Sequence, residues 1–145
     1  MAKVTQSIEI AAPPERVWAV VMDPERLHDW VTIHRGLGEH DDEHMEQTLH
    51  LRGVNFHVHW TLVERRPPHV AIWEGRGPAR SRAHIAYRLT EVDGGRTRFD
   101  YENEFKAPLG PLGAVASRAL VGNVPERESE ATLRRLKTLI EGTSA

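Results

Sequence analysis

The chain has 145 residues, of which 39% are hydrophobic and 28% charged, and a formal net charge of -2 at pH 7. That length suits one globular domain that buries roughly 70% of its unfolded surface, and the composition is not that of a disordered chain. The slightly acidic balance argues against nucleic acid, which needs a basic face. The absence of cysteine excludes disulfides, thiolate catalysis and cysteine-ligated zinc.

No run approaches the ~20 apolar residues of a membrane span, and no apolar stretch follows Lys3 as in a signal peptide. The expectation is a cytoplasmic protein without membrane insertion, with residues 1–142 as a single domain and 143–145 as a short tail.

Lys3 to Ile10 alternates between apolar and polar residues and predicts a first strand. Pro13 and Pro14 end it and open a short helix with Val17, Trp18, Val20 and Val21 on its apolar side. Asp23-Pro24-Glu25 starts a second short helix, with Asp23 as cap and Glu25 at the positive helix end. That helix carries Leu27 and Trp30 before the chain extends again at Val31-Thr32-Ile33.

From there to Ala107 the pattern is of strands in hairpins. Met45, Gln47, Leu49 and Leu51 share one face; after the Arg52-Gly53 turn, so do Val54, Phe56, Val58, Trp60 and Leu62. Arg65 to Pro68 forms a turn before Val70 to Glu74, and Gly75-Arg76-Gly77-Pro78 breaks the pattern. Ala83, Ile85, Tyr87 and Leu89 alternate with polar neighbours. Asp93-Gly94-Gly95 then turns the chain into Thr97, Phe99, Tyr101, Asn103 and Phe105. The other face of that last strand is Arg98, Asp100, Glu102 and Glu104, the wet side of an antiparallel sheet. Leu109 to Glu141 supplies a cover for the apolar face, with Leu112, Ala116, Ala119, Leu133, Leu136 and Ile140 at helical spacing. Pro125 is expected to kink or interrupt this helix near Gly122.

Strand, two short helices, six more strands and a long terminal helix is an unusual order. The chain resembles the START-related, birch-pollen-allergen-like (SRPBCC) superfamily, in particular its polyketide cyclase/dehydrase branch. The resemblance rests on Ile10-Ala-Ala-Pro-Pro-Glu-Arg-Val-Trp18, Asp23-Pro-Glu-Arg-Leu-His-Asp-Trp30, Gly95-Arg-Thr-Arg-Phe-Asp-Tyr101 and Leu133-Arg-Arg-Leu-Lys-Thr-Leu-Ile140. It implies an α+β helix-grip fold, a curved seven-stranded antiparallel sheet closed by the long C-terminal helix over an internal cavity. A void of a few hundred cubic ångströms is expected there.

The residues placed to line such a cavity are Trp30 on the second helix, then Phe56, Val58 and Trp60, then Trp73, Ile85 and Tyr87, then Tyr101 and Asn103. Leu112, Ala116 and Leu120 face them from the helix. Core packing alone also accounts for each aromatic residue. Asn103 falls where an apolar residue is expected, so its amide either meets a ligand polar group or bonds the terminal helix or a water. Tyr87 and Tyr101 share the inward face of neighbouring strands, where a pair of phenols can orient or protonate a carbonyl. Glu74 and Arg76 depend on register. The turn at Arg65 to Pro68 pairs Leu62 with Ala71 and Trp60 with Trp73, which turns Trp73 inward and both charges outward.

Nine histidines raise the question of a metal. His57 and His59 alternate with Phe56, Val58 and Trp60 and so face water, and His40 to His44 reads as a solvated hairpin tip. Neither a metal site nor a cofactor is expected. Arg80, Arg82, Arg88, Arg96 and Arg98 face outward among acids, as cross-strand charge pairs do. No catalytic residue is assigned.

The first functional reading is binding of a hydrophobic or aromatic small molecule, lipid- or polyketide-like, as a carrier or sensor. The alternative is a polyketide aromatase/cyclase that acts by substrate positioning. A third is a co-chaperone-like module whose partner is a protein; the charged outer face argues against it. No ligand identity or oligomeric state follows from the sequence.

Overall fold

The computed structural model describes residues 2–51, 53–77, 80–106 and 124–142. In chain order these form β1 (Ala2–Ile10), α1 (Pro14–Val21), a single 3-10 turn (Pro24–Arg26), α2 (Leu27–Trp30), β2 (His34–His40), β3 (His44–Leu51), β4 (Val54–Arg66), β5 (Val70–Arg76), β6 (Arg82–Val92), β7 (Arg96–Lys106) and α3 (Val124–Gly142). The strands make one antiparallel sheet in the order β1-β7-β6-β5-β4-β3-β2. This is the seven-stranded α+β helix-grip architecture implied by the resemblance.

The alternation in sequence becomes two faces of different chemistry. Phe56, Val58, Trp60, Ala71, Trp73, Tyr87, Phe99 and Tyr101 are buried on the concave face. The convex face carries ion pairs such as Lys3–Glu102 at 3.0 Å, His84–Glu74 at 3.0 Å and Arg96–Glu9 at 3.3 Å. Two-residue hairpins need a backbone that most side chains disfavour, and Gly53 takes φ 80° between the paired Leu51 and Val54.

Helix α3 does not lie along the middle of the sheet. It packs mainly on the edge strand β1, with α2 and α1 beside it, and buries Leu133, Leu136 and Ile140. Its C-terminal end is pinned by polar contacts. The Arg16 guanidinium donates to the Ile140 carbonyl at 2.7 Å, which suits the negative end of a helix. Lys137 Nζ donates to the Glu9 carbonyl at 2.7 Å, and Ala11 N–H donates to Glu141 Oε2 at 2.8 Å. At the other end of the fold's small-helix layer, Asp23 accepts from Glu25 N–H at 3.0 Å, as its capping position predicts.

Three expectations need correction. The segment Val31-Thr32-Ile33 is a turn rather than a strand: Val31 N–H closes α2 onto the Leu27 carbonyl, and Thr32 N–H goes to Thr132 Oγ1. Leu62 pairs with Trp73 and Arg65 with Ala71, because a bulge between Leu62 and Glu64 shifts the ladder. The inward face of β5 is nevertheless Ala71 and Trp73, with Glu74 and Arg76 exposed. Strand β5 also continues through Gly75 and Arg76 instead of breaking there. The expected kink at Pro125 near Gly122, and Leu112, Ala116, Ala119 and Leu120, lie at or beyond the edge of the described residues, which resume at Val124.

Gly75 is inside the strand for a packing reason. It pairs with Trp60, and a Cβ built there would sit 2.7 Å from two atoms of the Trp60 ring and 2.8 Å from Val58 Cγ1. Trp60 is almost fully buried and cannot swing aside. Gly75→Ala is therefore expected to destabilise the fold by about 1–3 kcal/mol through overpacking. A denaturant melt checks this, and an unchanged midpoint would show that the ring has room to shift.

Candidate ligand cavity

Beneath the concave face lies a cavity of about 120 Å³. It is smaller than the several hundred cubic ångströms expected, because three of the four tryptophans project into it: Trp30, Trp60 and Trp73. It exceeds what a few waters need and is comparable to apolar voids of ~150 Å³ that hold a benzene-sized molecule.

Nine residues singled out from the sequence come together around it. Trp30 enters from α2; Phe56, Val58 and Trp60 from β4; Trp73 from β5; Ile85 and Tyr87 from β6; Tyr101 and Asn103 from β7. Leu112, Ala116 and Leu120 lie outside the described residues. The rings form a connected cluster. Trp30 stands edge-on to Tyr87 at 6.0 Å and to Phe99 at 6.4 Å, and Tyr87 stacks beside its cross-strand partner Tyr101 at 6.0 Å. Phe56 meets Phe105 edge-on at 5.8 Å.

The polar atoms of the cavity are few. Asn103 Nδ2 donates to Tyr101 Oη at 3.2 Å. The indole N–H of Trp30 is buried with no partner among the described residues. Leaving such a donor unpaired costs on the order of 1–3 kcal/mol. Burial is the first cause, and the neighbouring Tyr101 the second, that pushes the Tyr87 phenol well above its ordinary value. Burial also raises Tyr101, to about 12, against the opposing pull of the Asn103 bond. Both phenols are held protonated at neutral pH.

Reading the sequence for aromatic anchors missed two polar groups of the lining. Gln47 shares the inward face of β3 and is buried. Its Oε1 accepts from Trp60 Nε1 at 2.9 Å while Nε2 meets His34 Nδ1 at 2.8 Å. The amide therefore presents a donor to His34, which puts the proton of the neutral imidazole on Nε2. The signal was visible, since Gln47 sits in an otherwise apolar face as Asn103 does. The second group is Glu128, Ser129 and Thr132, where α3 meets the Thr32 turn. Thr32 Oγ1 bonds Glu128 Oε2 at 2.5 Å and Thr132 Oγ1 at 3.0 Å. Nothing in strand periodicity points to that helix-to-turn contact.

On the convex face, His59 lies 5.7 Å from His44 ring to ring and 3.8 Å from Glu46. Among the described residues, no three histidine or acidic side chains are arranged to hold a metal ion.

A curved sheet gripping a terminal helix over an apolar cavity defines the START-like helix-grip class of proteins. The chain belongs to the polyketide cyclase/dehydrase and lipid transport family, whose model matches residues 1–141. It is 27% identical over 133 residues to "Toxin Rv0910" of Mycobacterium tuberculosis, covering 87% of this chain and 92% of that one. In fold it is similar to the Zhui aromatase/cyclase of Streptomyces sp. R1128, with TM-score 0.74 and 19% identity over 97% of this chain and 93% of that one. A START superfamily protein of Mycobacterium smegmatis matches with TM-score 0.75 and 15% identity, over 98% and 99% of the two chains.

The Gln47 link yields a pH prediction. Burial first, and the charge of His28 second, hold His34 below its ordinary value of 6.5. Above pH 6.5 both folded and unfolded forms are neutral and the full stability is present. As pH falls from there through the folded value, the unfolded chain gains its proton first and stability is lost. Denaturant melts at pH 7.5 and 5.5 are expected to show this loss, and His34→Gln to reduce it. Gln47→Leu should cost about 1–3 kcal/mol at either pH, since it strands the Trp60 N–H. Equal pH sensitivity in wild type and His34→Gln would exclude His34 as the source.

Proposed function

We propose that this protein binds a small hydrophobic or aromatic molecule in the cavity beneath the sheet, as a carrier or sensor. The observation that carries this reading is the void itself. Space is kept open among tryptophan and tyrosine rings that ordinary core packing would close. Family membership supports hydrophobic ligand binding in general, and the ligand of this chain is the proposal's own part.

A second reading, cyclisation of a polyketide-like chain, is favoured by the Tyr87–Tyr101 pair. Two protonated phenols beside a shaped apolar cavity can hold a flexible chain folded and shift enol protons. The likeness to an aromatase/cyclase at 19% identity extends to fold alone. A protein-binding module finds less support: among the described residues the one large hydrophobic side chain left exposed is Val63.

Native mass spectrometry of the purified protein is expected to show a co-purifying apolar molecule, and calorimetric titration to show binding of indane, a rigid bicyclic hydrocarbon. Ala83 lines the cavity, and Ala83→Leu should fill it and abolish indane binding while the thermal melt stays cooperative. Undiminished indane binding by a folded Ala83→Leu variant would move the site elsewhere.

A further inference from the structure

The cavity holds hydroxyl and indole donors that have no acceptor among the described residues. Tyr87 Oη has no hydrogen-bond partner among the described residues. Tyr101 Oη receives the Asn103 N–H, which occupies a lone pair and leaves the phenol's own proton without an acceptor. The Trp30 N–H, in the same ring cluster, is a third donor without a partner. The side-chain acceptors among the described lining residues are Gln47, Asn103, Glu128, Ser129 and Thr132. The Gln47 carbonyl already takes the Trp60 N–H, and Glu128 and Thr132 meet the Thr32 hydroxyl where the helix joins the turn. The Asn103 carbonyl is one group and cannot serve three donors.

The donors are also placed as a unit. Tyr87 and Tyr101 are directly cross-strand, their rings stacked at 6.0 Å with 26° between planes, and both rings are more than nine-tenths buried. Two phenols fixed side by side by the ladder address one region of the void.

We infer that the ligand of this cavity carries a neutral carbonyl oxygen, which accepts hydrogen bonds from the Tyr87 and Tyr101 hydroxyls. The inference rests on the cavity-binding reading above and adds the polar chemistry of the ligand. A carbonyl rather than a carboxylate follows from the lining. No lysine, arginine or histidine is among the described lining residues, and an anion buried without a counter-charge is costly. An amine or other donor-only ligand would add a fourth unmatched donor. The raised ionisation of both phenols keeps them donors across the physiological range.

The test compares indane with 1-indanone, which replaces one methylene by a carbonyl on the same rigid frame. Titration calorimetry of the wild type is expected to give about tenfold tighter binding of 1-indanone, the effect of one net hydrogen bond in a dry site. In Tyr87→Phe/Tyr101→Phe that ratio should fall to about twofold or less, with each single variant between the two. If the double variant does not melt cooperatively, the single variants decide. A full ratio retained in both overturns the inference, and so do equal affinities in the wild type. Equal binding of both probes leaves the cavity reading standing and removes the carbonyl; binding of neither removes both.

Discussion

The position of the terminal helix governs everything beneath it. Helix α3 is held over one edge of the sheet by Leu133, Leu136 and Ile140 against β1 and the small helices, and by the Arg16, Lys137 and Ala11 contacts at its C-terminal end. Thr32 ties its other half to the turn after α2 through Thr132 and Glu128. Glu128, Ser129 and Thr132 of this helix and the inward faces of β4 to β7 border a common space. Tryptophan and tyrosine rings reach into that space without filling it.

The polar interior follows from the same geometry. Side chains on a sheet stand in rows at period two, so an inward amide or phenol cannot turn away to water. It must be matched within the row, across the ladder or by whatever enters the cavity. Gln47 is matched across the ladder by Trp60 and beyond it by His34. Asn103 is matched along its own strand by Tyr101. The Trp30 N–H is left over among the described residues. Meanwhile the convex face absorbs the charges: Lys3 and Glu102 stabilise one another, and the lysine's hydrogen bond is the first cause of that carboxylate's lowered ionisation. Such exposed pairs add little stability but keep the outer face wet.

Much of this was legible in the sequence, because alternation is a strong signal when one face is apolar and the other charged. Phe99, Tyr101 and Phe105 against Arg98, Asp100 and Glu102 set the phase of β7 without ambiguity, whereas the inward turn of Trp73 rests on the hairpin at Arg65 to Pro68, whose expected pairing the structure alters. What could not be read depends on contacts between distant elements. The bulge at Val63 shifts the partner of Trp73 from Trp60 to Leu62, and a two-residue period carries no trace of it until the two strands are laid together. Gly75 looked like a strand breaker, since a glycine's usual meaning in sequence is a turn; its role as the floor beneath the Trp60 ring exists only in three dimensions. The cavity's size was overestimated for a related reason: inward position shows which rings share a space, not how much of it they occupy.

The balance between binding and catalysis turns on what the lining can exchange with a ligand. Its titratable side chains, among the described residues, are Tyr87, Tyr101 and Glu128. The phenols are pushed upward by burial, so at neutral pH they give hydrogen bonds and do not take protons. Glu128 stands at the helix end of the cavity and holds the Thr32 hydroxyl through Oε2. A carbonyl held by two phenols is polarised, which eases removal of an adjacent proton to give the enol, the species that would then form the ring bond; among the described lining residues Glu128 is the carboxylate that could take that proton. Binding thus needs only the groups already in place, whereas catalysis would also require Glu128, which holds Thr32 through one oxygen, to bring its carboxylate to the proton beside the carbonyl.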